Sequence, residues 1–498
     1  MTKLPSRQRY IDLSRTAKRI PILEERPVPG FDPAFLFRGL YGQAPLAFLF
    51  ESGKGPEATA RYTFLGQSNG RALVAEKNSV TLIQNGVSKV VDASPLAAFE
   101  QMNFRISETP PDYVNHFWGG WVGYIGYEMA GCLETLIPAG KDDPGLPLLH
   151  FFQVDRLWVY DHMKETLKLI FSEEISGNPG NHYDRTRGEM QTLWRRAEAF
   201  IRKFPPSHGQ PPTQSSDGKI PTNLHSNVTQ NHYVRMVESA KRYIEEGDIY
   251  QANLSQRFET AFDGDPWDLY EPLRQINPAP FSGFMRMGDV TLVSSSPERL
   301  VRVEGKNLET RPIAGTRPRG QTEKEDHRLA EELLLNEKEQ AEHTMLVDLE
   351  RNDLGRICEY GSVQVTDTMF VEKYSHVSHI VSNIRGTLKP RVNLLDIIRA
   401  VFPGGTITGC PKIRCMEIIS ELEPAPRGPY SGSFGYIGFS DYLDLNIVIR
   451  TLVISRGKAS FHVGAGIVAD SIPEKEYQET LDKAAAMIHV LTGLETAS

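Results

Sequence analysis

The chain has 498 residues, 40% of them hydrophobic and 24% charged, with a formal net charge of −8. Such a composition belongs to an ordinary globular protein, long enough for two to four domains or one large composite core. The acidic balance argues against a broad nucleic-acid footprint. No apolar run approaches the length of a membrane-spanning helix.

The opening segment "MTKLPSRQRYIDLSRTAKRI" lacks the apolar stretch of a secretory signal. Four cysteines cannot staple so long a chain, and Cys410 and Cys415 in "GCPKIRC" have no second ligand cluster for zinc. All four read as thiols in a reducing compartment, so a cytoplasmic protein is expected.

Strands dominate the first part of the chain. "LAFLFES" (46–52) and "RYTFLG" (61–66) are short apolar-aromatic runs. In 79–92, Asn85-Gly86 separates two β-branched runs and predicts a tight hairpin. A second hairpin with a longer turn is expected over 156–172, then a helix from about 181 to 203. Residues 203–227, rich in Pro, Ser, Gly and Asn, read as a linker or long surface loop. They divide an N-terminal region, 1–202, from a second region, 228–498.

The second region opens with an amphipathic helix ending at Gly247, followed by a strand. Further strands are expected in "VTLVSSS", "LNIVIRTLVIS" and "ASFHVGAGIVA", with helices over 322–352, 393–402, 411–422 and 474–493. Hairpin-linked strands with helices in blocks predict an α+β fold.

Two Glu-x-x-Glu pairs stand out, Glu339/Glu342 and Glu476/Glu479. Spacing of three places both carboxylates on one side of a helix. Most such pairs are solvated surface. The alternative is a hard-oxygen site for Mg²⁺, because like carboxylates repel unless a cation lies between them. Gly464-Ala465-Gly466 formally begins a dinucleotide fingerprint, but only one helix follows, with no strand for a ribose-binding acid. Backbone donors approaching an anion are the other use of these glycines, and a glycine-rich bulge is an equal alternative. "RPIAGTRPRG" (311–320) is either a solvated basic loop or a carboxylate-binding segment.

"SPERL", "RPIAGTRPRG", "AEHTMLVDLERNDLGR", "SHVSHIVSNIRG", "FPGGTITGCPKIRCMEII", "YSGSFGYIGF", "IVIRT" and "GAG" occur in this order. Together they resemble the chorismate-utilising enzymes, the family of component I of anthranilate synthase and of aminodeoxychorismate synthase. The likeness covers about 228–492; "FLFES" and "GGWVGYIGYEM" extend it more loosely into the first half. It implies two large antiparallel sheets packed together with helices outside.

Residue by residue, the resemblance implies Mg²⁺ ligands at Glu342 and Glu479, partnered by Glu339 and Glu476. It implies chorismate carboxylate binding by Tyr430, Arg450 and the Gly464, Ala465 and Gly466 backbone, with Gly315, Thr316 and Thr406 lining the ring. His379 matches the active-site histidine, and Glu298 the general acid that protonates the departing hydroxide.

Within the family, isochorismate synthases carry a basic Lys where this chain has Gln251, which points to an ammonia-using branch. Ala314 resembles anthranilate synthases, whereas "NPAPFSGF" (277–284) and "GGTITGCPK" resemble the aminodeoxychorismate branch, the reading favoured here. Glu51 and Ser52, with Pro280, Phe281 and Ser282, fall where the family's feedback tryptophan pocket lies. The chain has no nucleophile-elbow cysteine, so ammonia is expected from a separate glutamine amidotransferase subunit. A non-catalytic chorismate-binding regulator is the remaining reading.

Overall fold

The computed structural model describes residues 2–52, 61–102, 104, 112–134, 146–203, 223–320, 322–373, 377–440 and 442–493. The core of the expected linker, 204–222, lies outside them. The described residues form two antiparallel sheets, of thirteen and twelve strands, with twelve α-helices. This is the α+β arrangement expected.

The larger sheet runs from Thr2–Leu4 through Ile22–Pro27, Thr166–Phe171, Arg156–Asp161, Tyr62–Gln67 and Leu46–Glu51. It continues through Phe281–Met287, Val290–Ser296, Thr451–Ser455, Lys458–Ile467 and Gln251–Ala261 to His225–Ser226. In the smaller sheet, Tyr442–Ile447 and Ser433–Gly438 lie beside Gly120–Ile125, and Ile313–Pro318 pairs with Val377–Thr387. Both sheets therefore cross the expected boundary between the two regions. Leu46–Glu51 pairs with Phe281–Met287, and Gly120–Ile125 with Ser433–Gly438.

Aromatic side chains fill the space where the sheets face each other. Phe48 stands 6.3 Å from Phe152 and Phe50 stands 5.8 Å from Phe434, ring centre to ring centre. Each such ring contributes about 1.5–3 kcal/mol by leaving water. The hairpin over 79–92 forms as its Asn-Gly predicts, with both residues at positive φ.

Two expectations change. The single helix over 322–352 is two, Glu323–Leu335 and Glu337–Ile357. Asn336 breaks it, with extended backbone (φ −74°, ψ 108°) and a side chain that accepts from the Glu339 amide at 3.0 Å. That N-cap starts a new helix instead of prolonging the old one. "LNIVIRTLVIS" is also not one strand. Tyr442–Ile447 belongs to the smaller sheet and Thr451–Ser455 to the larger. Between them Arg450 adopts φ +48°, a left-handed conformation that a continuous strand excludes.

Asn336→Ala is expected to lower stability by about 1 kcal/mol in urea unfolding, because the helix carrying Glu339 and Glu342 loses its cap.

Candidate active site

The Lys458–Ile467 strand forms one wall of the site. It pairs with Gln251–Ala261, setting Asn253 opposite Gly466 and Ser255 opposite Gly464. At Gly466 a β-carbon would lie 2.5 Å from Gln251 Nε2 and 3.6 Å from Glu342 Oε1. At Gly464 it would lie 2.8 Å from Tyr430 Oη. Glycine lets these side chains close onto the strand, where any larger residue would displace them. Ala465, between them, points into the core and is fully buried.

Gln251 Nε2 donates to Glu342 Oε1 at 2.7 Å. From the C-terminal helix, Lys483 donates to the Gly464 carbonyl at 3.0 Å and pairs with Glu479 at 2.7 Å. One glutamate of each pair is thus linked to the same strand, at positions two residues apart. Glu339 is engaged elsewhere. Glu339 meets Arg317 Nη1 at 3.3 Å and sits 2.9 Å from where a β-carbon on Gly315 would be. Glu476 is buried, 8% exposed, while Glu479 is half exposed.

Whether these residues fit a divalent cation turns on the donor set. Four carboxylates on two helices offer the hard oxygens that Mg²⁺ prefers, and the glycine at 466 leaves room beside Glu342. In kind they fit. As arranged, the carboxylates of Glu342, Glu339 and Glu479 are turned towards Gln251, Arg317 and Lys483 respectively, and among the described residues no three acidic, His or Cys side chains are gathered closely enough to hold a metal.

Glu298 lies in the turn between two strands and is 5% exposed. Burial pushes its carboxyl up to about 7, against the opposing influence of Thr406, the Ile313 backbone, Arg450 and Lys483. His379 is 3% exposed and sits opposite Thr316 across the sheet. Burial, reinforced by Arg450 and Lys483, lowers it to about 4, so the ring is neutral at pH 7. Its Nδ1 lies 3.0 Å from the Gly315 carbonyl, an acceptor only, so that nitrogen carries the proton. Gly315 adopts φ +65° at a bulge between Ala314 and Thr316. The Thr316 side chain lies outside the described residues.

Tyr430 is buried, its ring stacked on His462 at 5.0 Å and faced by the Arg427 guanidinium at 5.5 Å. Arg427 holds Glu423 at 2.7 Å, the Ile407 carbonyl at 2.9 Å, the Asn253 carbonyl at 2.6 Å and Ser431 Oγ at 3.1 Å. Sequence reasoning missed Arg427 and Lys483. For Lys483 a signal existed, an i,i+4 Glu479–Lys483 pair on the helix already singled out. For Arg427 there was none, because a buried arginine reads as surface in a sequence.

Residues expected in a tryptophan pocket fall into three settings. Glu51 is in register with Ser282 on the neighbouring strand. Its carboxylate is held by Arg274 at 2.6 and 2.8 Å and by Tyr270 Oη at 2.5 Å, and Arg274 also binds Asp32. Ser52 and Ser282 bond to backbone, at Tyr62 and Ala279. Pro280 and Phe281 line a separate small cleft with Pro297, Arg299, Arg311 and Glu372.

Among the described residues no helix is long and apolar enough to cross a membrane. The family model for chorismate binding enzymes matches residues 47–489. Aminodeoxychorismate synthase component 1 of Bacillus subtilis (strain 168) is 42% identical over 445 residues, spanning 89% of this chain and 91% of that protein. Anthranilate synthase component 1 of Acetivibrio thermocellus is 38% identical over 481 residues, spanning 95% of each. The crystal structure of anthranilate synthase component I from Streptococcus pneumoniae TIGR4 superimposes with a TM-score of 0.71 at 34% identity, covering 93% of this chain and 99% of that one. With a family match over most of its length and relatives matched nearly end to end, the chain belongs to the chorismate-binding enzymes.

Proposed function

We propose that this chain is an aminodeoxychorismate synthase component I, converting chorismate and ammonia to 4-amino-4-deoxychorismate. Ammonia would come from glutamine through a separate amidotransferase subunit, and the product would serve p-aminobenzoate and folate synthesis. The observation that carries amination is Gln251, a neutral carboxamide beside Glu342 and Gly466 where water activation would call for a base. The branch rests on the "NPAPFSGF" and "GGTITGCPK" segments. One feature favours the anthranilate reading instead. Ala314, buried beside Gly315, provides no amine with which to attack the ring.

Chorismate is a dianion, and Arg450, Lys483, Tyr430 and the Gly464–Gly466 backbone are the groups to receive its carboxylates. As nitrogen bonds to the ring, the C4–O bond breaks and its electrons leave with the hydroxyl. Glu298 supplies the proton that turns hydroxide into water. The new ammonium group then loses a proton, and one returns to Glu298. Neutral His379, fixed by the Gly315 carbonyl, presents Nε2 without adding positive charge to the site. Glu342 and Glu479, with Glu339 and Glu476, would hold Mg²⁺; when bound, the ion supplies Lewis-acid polarisation of the ring carboxylate.

Incubation with chorismate, Mg²⁺ and ammonium tests the branch. Product that becomes p-aminobenzoate only after a pyruvate-eliminating lyase is added supports it; fluorescent anthranilate formed directly overturns it in favour of anthranilate synthase. Glu342→Gln or Glu479→Gln should abolish ammonia-dependent turnover while the far-ultraviolet circular dichroism stays unchanged, and near-normal activity in either would refute their assignment. Ala314→Lys should alter the product distribution seen by chromatography.

Glu298 yields a two-part prediction. Activity needs the protonated acid, so kcat/KM should fall as pH rises through about 7. The folded carboxyl titrates above its ordinary 4.5, so its stabilising contribution is complete below that pH and is lost as pH climbs through about 7. Glu298→Gln should therefore abolish turnover yet make the protein more stable at pH 8 than the parent, by up to about 3 kcal/mol. Urea unfolding at pH 5 and pH 8 measures the difference.

A further inference from the structure

We infer that Glu128, in the first half of the chain, is a positioning residue for chorismate that acts through the turn carrying Tyr430. The inference rests on the assignment of Tyr430 to a chorismate carboxylate and is independent of the branch. Glu128 lies just beyond the Gly120–Ile125 strand of the smaller sheet. Its Oε1 accepts from the Arg427 amide at 2.7 Å, and its Oε2 from the Gly428 amide at 3.0 Å. Beside it the Tyr127 amide donates to the Gly428 carbonyl at 2.7 Å. Successive backbone donors converging on one anion make a concavity in which proteins bind carboxylates. Here the anion is the chain's own side chain.

The same segment holds the far end of the turn. A β-carbon at Gly432 would lie 2.1 Å from the Ile125 carbonyl oxygen, and Ser433 is in register with Ile125. Between these two holds the Tyr430 amide donates to the Arg427 carbonyl at 3.2 Å. Its Oη stands 2.8 Å from where a β-carbon on Gly464 would be, so the turn sets the hydroxyl against the glycine strand. An ionised carboxylate suits the clamp because both oxygens face donors and it only accepts. An amide of the same size keeps one acceptor and turns its own N–H groups on the other donor. Burial raises the Glu128 carboxyl to about 7, against the pull of these backbone amides and of Arg427, so the clamp is mostly charged at pH 8.

Calorimetric titration with chorismate and Mg²⁺ at pH 8 is the test. Glu128→Gln should weaken chorismate binding about tenfold, while kcat at saturating chorismate stays within about three-fold. Tyr430→Phe should also weaken binding. Adding Glu128→Gln to it should cost less than about two-fold more, because both changes act on one contact. Should circular dichroism show Glu128→Gln unfolded, Glu128→Asp keeps the charge on a shorter arm and carries the same comparison. Unchanged affinity in the Glu128 variant, or losses that multiply in the double variant, overturns the positioning role and leaves the Tyr430 assignment standing. Unchanged affinity in Tyr430→Phe overturns that assignment, and the inference with it.

Discussion

The buried Arg427–Glu423 pair ties together three chain segments that carry the site. Its guanidinium, 1% exposed, reaches Asn253 on the strand that begins with Gln251, Ile407 beside Thr406, and Ser431 beside Tyr430. Glu423 in turn accepts from the Ser255 amide and hydroxyl at 2.7 and 3.0 Å. An ion pair so thoroughly desolvated adds little net stability, but removing one partner would strand the other at a cost of about 3–5 kcal/mol. Its structural effect is geometric, since segments far apart in sequence share one rigid charged hub.

Around that hub the site sorts its charges by burial. Loss of water raises the Glu298 carboxyl to about 7, His379 is kept neutral by the same loss and by nearby cations, and Lys483 and Arg450 supply the positive field that both of them feel. An acid raised towards neutrality, a neutral imidazole and two cations thus share one electrostatic neighbourhood. The carboxylates of Glu342 and Glu479 are joined to the glycine strand through Gln251 and Lys483.

The same strand explains why glycine recurs there. Side chains approach Lys458–Ile467 from a helix above and a strand beside it, and a methyl group at Gly466 would push away Gln251, the residue that holds Glu342. Motifs that look like isolated fragments in the sequence are therefore parts of one contact surface.

Much was legible from local pattern alone. Asn85-Gly86 specified a hairpin because both residues tolerate positive φ, and spacing of three put each glutamate pair on one helical side. Periodicity could not show the break at Asn336, where a side-chain cap competes with continued helix, nor the crossing between sheets at Arg450. Those breaks apart, the sequence by itself determined where strands and helices lie and which residues carry acid, cation or carboxamide, because those depend on neighbours a few positions away. Only the tertiary structure decided that Glu51 is spent on Arg274, that Lys483 reaches Gly464, and that Gln251 meets Glu342, because each depends on separate elements brought together by packing and burial, across 19 residues in one case and 91 and 223 in the others.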